Sequence, residues 1–253
     1  RPPPIDRSIV GCVRRKGQQD MGQRVDALYG RRRLRTRIGI AALVGTTCFG
    51  TVASEFSTAS AAPAVQVSTS ASGSKVREVD PVADIAVAAL ADLHNYQSSG
   101  DPSLFARYGS LRDGIATAIA GRLDIVPARM IAAWKAADTD HQTALMAALS
   151  QLGVPYHHNT SRAGEGFDCS GLTTYAWGLA GANLTRQSGA QIRAAAARTH
   201  DTATAGDLAY YPGHVMLYLG VDGAIVHAPN TGRNVQVDSI ASRRSLRFGD
   251  PSA

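Results

Sequence analysis

The order in which two hydrophobic periods follow one another is what most constrains this chain. Apolar residues recur at helical spacing from Val82 to Leu152, and from Leu208 to Val237 they fall into short runs of strand length. Helices first and antiparallel strands afterwards is the order of an α+β fold. Asp80-Pro81 reads as an N-cap followed by proline at the first helical position. Val82, Ile85, Ala86, Ala89, Leu90 and Leu93 follow it, predicting a helix that ends near Gln97. Asp101-Pro102 repeats the signal ahead of Leu104, Phe105, Tyr108, Leu111, Ile115, Ile119 and Leu123, with an interruption expected around Gly109. A third helix is predicted from Pro127 with Met130, Ile131 and Trp134. A fourth runs from Asp138 through Leu145, Met146, Leu149 and Leu152, stopping at Gly153 before Pro155. After a helical pattern over Gly171 to Leu179, strands are predicted at Leu208 to Tyr211, His214 to Gly220, Ala224 to His227 and Asn234 to Val237. Asp222-Gly223 supplies a hairpin turn between two of them.

The formal net charge of +6 invites a nucleic-acid reading, which its distribution removes. Residues 1–61 hold 11 Lys and Arg against 4 Asp and Glu, while the remainder holds 15 against 16, so the basic excess belongs to the leader. Within that leader a basic cluster over 31–37 precedes an apolar run over 38–53 and then Ala59-Ser60-Ala61, the order of a signal peptide with cleavage near Ala61. The product is expected outside the cytoplasm, with no stable membrane association once the leader is removed. Residues 62–79 are rich in Ser, Ala and Thr and are expected to be a disordered linker. Cys12 and Cys48 fall in the leader, leaving Cys169 unpaired in an oxidising compartment, where a lone thiol is either buried and inert or kept for chemistry.

The neighbours of Cys169 favour chemistry. Asp168-Cys169-Ser170-Gly171 follows the irregular stretch from Asn159 to Gly166 and opens a helical pattern. That places the thiol at a helix N-terminus, where free amides and the helix dipole favour the thiolate. His214 and His227 flank the Asp222-Gly223 hairpin on adjacent strands, so pairing about the turn brings together a base and a group to orient it. Asn230 is the other candidate for the orienting position. His157 and His158 are neighbours that point opposite ways on an extended segment, with no spaced carboxylate to complete a zinc set, so no metal is expected. His94, His141 and His200 are read as surface or core residues. Arg243, Arg244 and Arg247 are read as a solvated face.

Gly166-Phe167-Asp168-Cys169-Ser170-Gly171-Leu172, Gly206-Asp207-Leu208, His214-Val215 and Val226-His227-Ala228 resemble, in motif and order, the NlpC/P60 family of cysteine peptidases. Gly153-Val154-Pro155-Tyr156 and Arg186-Gln187-Ser188 fit the same pattern. The resemblance covers about Asp138 to Val237 and implies a papain-like α+β fold there, so the catalytic domain is expected over 138–253 with a separate helical region over 80–137 before it. It also implies a cofactor-free enzyme that cuts peptidoglycan stem peptides, commonly between γ-D-glutamate and the diamino acid, and that works as a monomer in the cell wall. By it, Cys169 would be the nucleophile, His214 the general base and His227 the orienting residue. Tyr156 would assist the oxyanion hole, and Asp168 and Ser170 would help hold the free amine of the stem peptide. The sequence departs from the family at His157-His158-Asn159, Thr185, Gln187 and Met216, which bears on subsite preference rather than on the triad. The same residues leave room for an amidase or acyltransferase of the superfamily, or for a wall-binding module with a relict site.

Overall fold

The structure is a computed structural model that describes residues 78–243 and 245–253. The expected leader, its signal peptide and the linker up to residue 77 lie outside the described residues. Four helices come first: α1 (Pro81–Ser99), α2 (Pro102–Arg122), α3 (Pro127–Ala136) and α4 (Thr139–Leu149). Asp80 and Asp101 cap their helices as read from the sequence, and Asp138, read only as the start of a helix, is a cap as well. Asp80, Asp101 and Asp138 accept hydrogen bonds from the amides of Val82, Ser103 and His141, satisfying groups that a helix start leaves free. Gly100, with φ of 74°, closes α1 in the left-handed region. No interruption occurs at Gly109, because α2 runs unbroken through it and packs against both α1 and α3. The neighbouring helices outweigh the weak propensity of one glycine.

Beyond these lie β1 (Ser161–Arg162), β2 (Gly166–Phe167), α5 (Cys169–Leu179), α6 (Ser188–Ala194), β3 (Ala196–Arg198), β4 (Leu208–Tyr211), β5 (His214–Tyr218), β6 (Ala224–His227), β7 (Gln236–Ser239) and β8 (Arg247–Asp250). The last six form one antiparallel sheet in the order β3-β8-β4-β5-β6-β7, so the final strand inserts between β3 and β4. Asp222 and Gly223 both take positive φ, 47° and 70°, as the turn between β5 and β6 requires. The strand read at Asn234 begins later, at Gln236. Asn234 itself pairs as an isolated bridge with Pro155.

One hydrophobic cluster runs from Val82 through Tyr108, Trp134, Leu145 and Trp177 to Val215 and Val235, so the early helices and the later sheet share a core. A smaller cluster of Ala209, Met216, Tyr218, Ile225, Ile240 and Phe248 covers the alternate side chains of the sheet. α3 is fastened to the β5–β6 hairpin. The buried indole of Trp134 donates to the Leu219 carbonyl at 2.9 Å, and Arg129 pairs with Asp222 at 2.6 Å. Among the described residues no helix is long and apolar enough to cross a membrane.

Candidate active site

Cys169 is the first residue of α5, and the bend that puts it there is built by its neighbours. Asp168 caps the helix by accepting from the Gly171 amide at 2.6 Å, and its second oxygen takes the Arg186 guanidinium at 2.8 Å. A side chain at Gly171 is impossible without moving backbone, since a Cβ there would stand 2.0 Å from the Thr160 carbonyl oxygen. The Cys169 thiol is half-buried and free, and the amide of Val215, the residue after His214, stands close enough to favour its thiolate. The start of α5 thus meets the start of β5.

Because β5 begins at His214 and antiparallel β6 ends at His227, both histidines stand at one end of the sheet. His214 Nε2 lies 2.9 Å from His227 Nδ1. Asn230, the other candidate for that contact, is exposed. The bond ties the tautomers together. If His214 keeps Nδ1 free to take a proton, its Nε2 carries hydrogen and donates to His227 Nδ1, and the His227 proton is then on Nε2. That Nε2 is buried without a hydrogen-bond partner, with the Asp238 carboxylate 3.8 Å away. Burial pushes His214 down to about 4, with Arg243 adding to the shift. Burial likewise holds His227 at about 3, with His214 contributing. Both rings are therefore neutral at pH 7, and His214, with Nδ1 unprotonated, is the one able to accept a proton.

The thiol departs from expectation. Burial pushes Cys169 above the ordinary thiol value and Asp168 adds to it, while the amides of Val215, Ser170 and Cys169 pull the other way without prevailing. The helix-start position is as read, but desolvation and a neighbouring carboxylate outweigh the amides. A thiol held above its ordinary value needs a base to take its proton before or as the sulfur attacks, and a neutral imidazole is such a base.

Tyr156 stands near this thiol. Burial first, then the charges of Cys169 and Asp168, raise its phenol, so its hydroxyl stays a hydrogen-bond donor. Its amide donates to the Arg233 carbonyl at 2.8 Å. Asp168 and Ser170 are both buried, and their polar atoms are engaged within the fold. Ser170 Oγ donates to the Arg186 carbonyl at 2.6 Å and lies 3.1 Å from Asp168. Their visible work is to hold the start of α5, with Arg186 as their partner. Arg186 carried a signal in the Arg186-Gln187-Ser188 motif, but its contact with Asp168, 18 positions away, did not.

Two residues beside His214 escaped the sequence reading. The Tyr211 ring packs on the His214 ring at 5.2 Å, and the Arg243 guanidinium stands 4.0 Å above the Tyr211 ring centre. Read as part of a solvated face, Arg243 is exposed but fixed by this stacking, a contact between β4 and the loop after β7 that has no local signature. A cleft of about 650 Å³ opens away from the thiol, beside Glu78, Arg122, Gly153, Arg233 and Asn234.

A second cluster is buried at the other end of the β4–β5 pair. His141, Asp207 and Asp250 have potential ligand atoms within 4.8 Å of one another. Both nitrogens of His141 are already engaged, with Asp138 at 2.9 Å and Asp207 at 3.1 Å, and Arg198 pairs with Asp250 at 2.7 Å. Burial opposes the charge, but the bonds to Asp207 and Asp138 outweigh it and raise His141 to about 9. A doubly protonated ring has no lone pair for a metal, so this donor set fits a closed ion-pair network.

The family model described as NlpC/P60 family matches residues 153–247. Over 108 residues the chain is 33% identical to peptidoglycan endopeptidase RipA of Mycolicibacterium smegmatis, covering 36% of this chain and 22% of that protein. It is 34% identical over 94 residues to the gamma-D-glutamyl-L-lysine dipeptidyl-peptidase of Bacillus cereus, covering 34% and 28%. The chain thus spans about a quarter of the length of these two curated relatives. Among solved structures, RipD of Mycobacterium tuberculosis, described as a non-catalytic NlpC/p60 domain protein, is 28% identical over 45% of this chain and 98% of that one, with a TM-score of 0.37.

Proposed function

We propose, from the premise that this chain belongs to the NlpC/P60 family through residues 153–247, that it is a secreted cysteine endopeptidase hydrolysing peptidoglycan stem peptides at the γ-D-glutamyl to diamino acid bond. The observation that carries this reading is the 2.9 Å contact of His214 with His227 at the end of the sheet, against which α5, with Cys169 at its head, is packed. The relatives named above as acting on peptidoglycan and on the γ-D-glutamyl-L-lysine bond support the substrate class. In this reading residues 138–253 carry the chemistry, and the helices over 80–137 brace it through the shared core. The chain acts as a monomer outside the cytoplasmic membrane.

His214 Nδ1 takes the proton from Cys169 as sulfur adds to the scissile carbonyl, and Nε2–H, held by His227, keeps the ring oriented while it becomes imidazolium. The Cys169 amide and the Tyr156 hydroxyl serve as donors to the tetrahedral oxyanion. His214 then returns its proton to the departing amine, leaving a thioester on Cys169. Water deprotonated by His214 hydrolyses that thioester and restores the thiol. Asp168, Ser170 and Arg186 position the start of α5, and an ammonium group of the substrate reaches Asp168 only by sharing it with Arg186.

Mass spectrometry of defined muropeptides incubated with the protein and with its Cys169→Ala variant tests this. Cleavage by the unaltered protein alone, with products separated after D-glutamate, is the expected result. Cleavage by both removes Cys169 as the nucleophile, and cleavage by neither, with folding verified by circular dichroism, removes the reading and leaves a wall-binding module or another acyl substrate in its place.

A further inference from the structure

The residues beside the histidine pair carry an imbalance of charge. Arg243 is held over Tyr211, which packs on His214. Among the described residues no carboxylate pairs with its guanidinium, whereas Arg107 pairs with Asp92, Arg122 with Asp80, Arg129 with Asp222, Arg186 with Asp168 and Arg198 with Asp250. The nearby Asp238 accepts from its neighbours Gln236 and Ser239. A fixed, unmatched cation one ring away from a proposed general base opposes the proton transfer that base must perform, unless an anion arrives with the substrate.

The substrate class proposed above supplies such an anion. A γ-linkage uses the side-chain carboxyl of glutamate and leaves its α-carboxyl free, about 5 Å from the scissile carbonyl carbon along an extended chain. Resting on that reading, we propose that Arg243 is a specificity-determining residue that receives the free α-carboxylate of the D-glutamyl acyl donor, so that the enzyme prefers this carboxylate over its carboxamide counterpart. The planar guanidinium, stacked on Tyr211, keeps its edge donors for a paired contact with the two carboxylate oxygens. Tyr211 fixes the guanidinium at little further entropy cost on binding. Burial is the main cause that holds His214 low, and neutralising Arg243 with the bound carboxylate relieves the smaller part that its charge adds.

The test compares L-Ala-γ-D-Glu-L-Lys with the same tripeptide carrying D-isoglutamine, using the unaltered protein, Arg243→Gln and Arg247→Gln. Arg247 is an exposed cation on β8 and controls for the loss of one surface charge. The expected result is a preference for the acid of about tenfold to a hundredfold in the unaltered protein, the range of a hydrogen bond to a charged group. That preference should collapse in Arg243→Gln through loss of kcat/KM on the acid alone, and persist in Arg247→Gln. An unaltered protein indifferent to amidation, or an Arg243→Gln variant that keeps the preference, overturns the inference and leaves the hydrolase reading standing. Cleavage of neither tripeptide by the folded, unaltered protein removes both.

Discussion

Two histidine sites lie buried in this fold, and their protonation is pushed in opposite directions. His214, His227 and His141 are nearly equally enclosed, at 7%, 8% and 3% exposure. The pair at the end of β5 and β6 faces another imidazole and an arginine, and it is held neutral. His141 is bonded to Asp138 and Asp207, has Asp250 at 3.5 Å, and is held charged. Burial by itself penalises the imidazolium in both places, so the difference comes from carboxylates within bonding reach. A histidine that is buried, neutral and bonded to no carboxylate is fit for proton transfer, whereas one enclosed by acids is fit for holding a fold together.

The sharpest way to break this contrast is to remove one member of each site. His214→Ala should lower kcat on a muropeptide by about 10²- to 10⁴-fold with the melting temperature little changed, the scale of a general base. An active His214→Ala would abolish the distinction. His141→Gln should do the reverse, lowering stability by about 3 kcal/mol in urea titration because a buried carboxylate loses its charged partner. Activity per folded molecule should stay level, and a loss of kcat in a fully folded His141→Gln would join the two sites into one.

Smaller effects sharpen it. His227→Ala should cost about tenfold to a hundredfold in kcat, since the ring it orients remains. An inactive Asn230→Ala beside an active His227→Ala would transfer the orienting role. Stability should also slope with pH on both sides of 6.5, by up to about 1.4 kcal/mol per pH unit for each group. His141 is raised in the folded state, so its contribution is complete below 6.5 and is lost as pH rises through about 9. The pair is depressed, so its contribution is complete above 6.5 and is lost as pH falls toward about 4. Urea midpoints measured from pH 4 to 10 should therefore peak between, with the alkaline slope absent in His141→Gln. Last, iodoacetamide labelling of Cys169 should keep rising above pH 9, because the thiol is held high. A plateau near neutral pH would mean a preformed thiolate.

Much of this molecule was legible in one dimension because its signals are local. Asp-Pro helix starts, the Asp222-Gly223 turn and the thiol at the head of α5 each depend on residues within a few positions, and strand pairing about one turn is enough to bring His214 to His227. Where the reading missed, the partner is distant or the element is short. α6 and β3 are too short to show a period, and β8 joins the sheet beside β3, about 50 residues earlier in the chain, as in the register of Ala197 with Gly249.

What the sequence by itself determined is the α+β order, the starts of the helices and which residues stand at the head of α5 and at the ends of β5 and β6. Only the tertiary structure decided the signs of the charges: the thiol held protonated, the pair held neutral, His141 held charged, and Arg243 placed over Tyr211 without an acid. Composition states how many charges there are. Their energies depend on burial and on separations of a few ångström between side chains far apart along the chain.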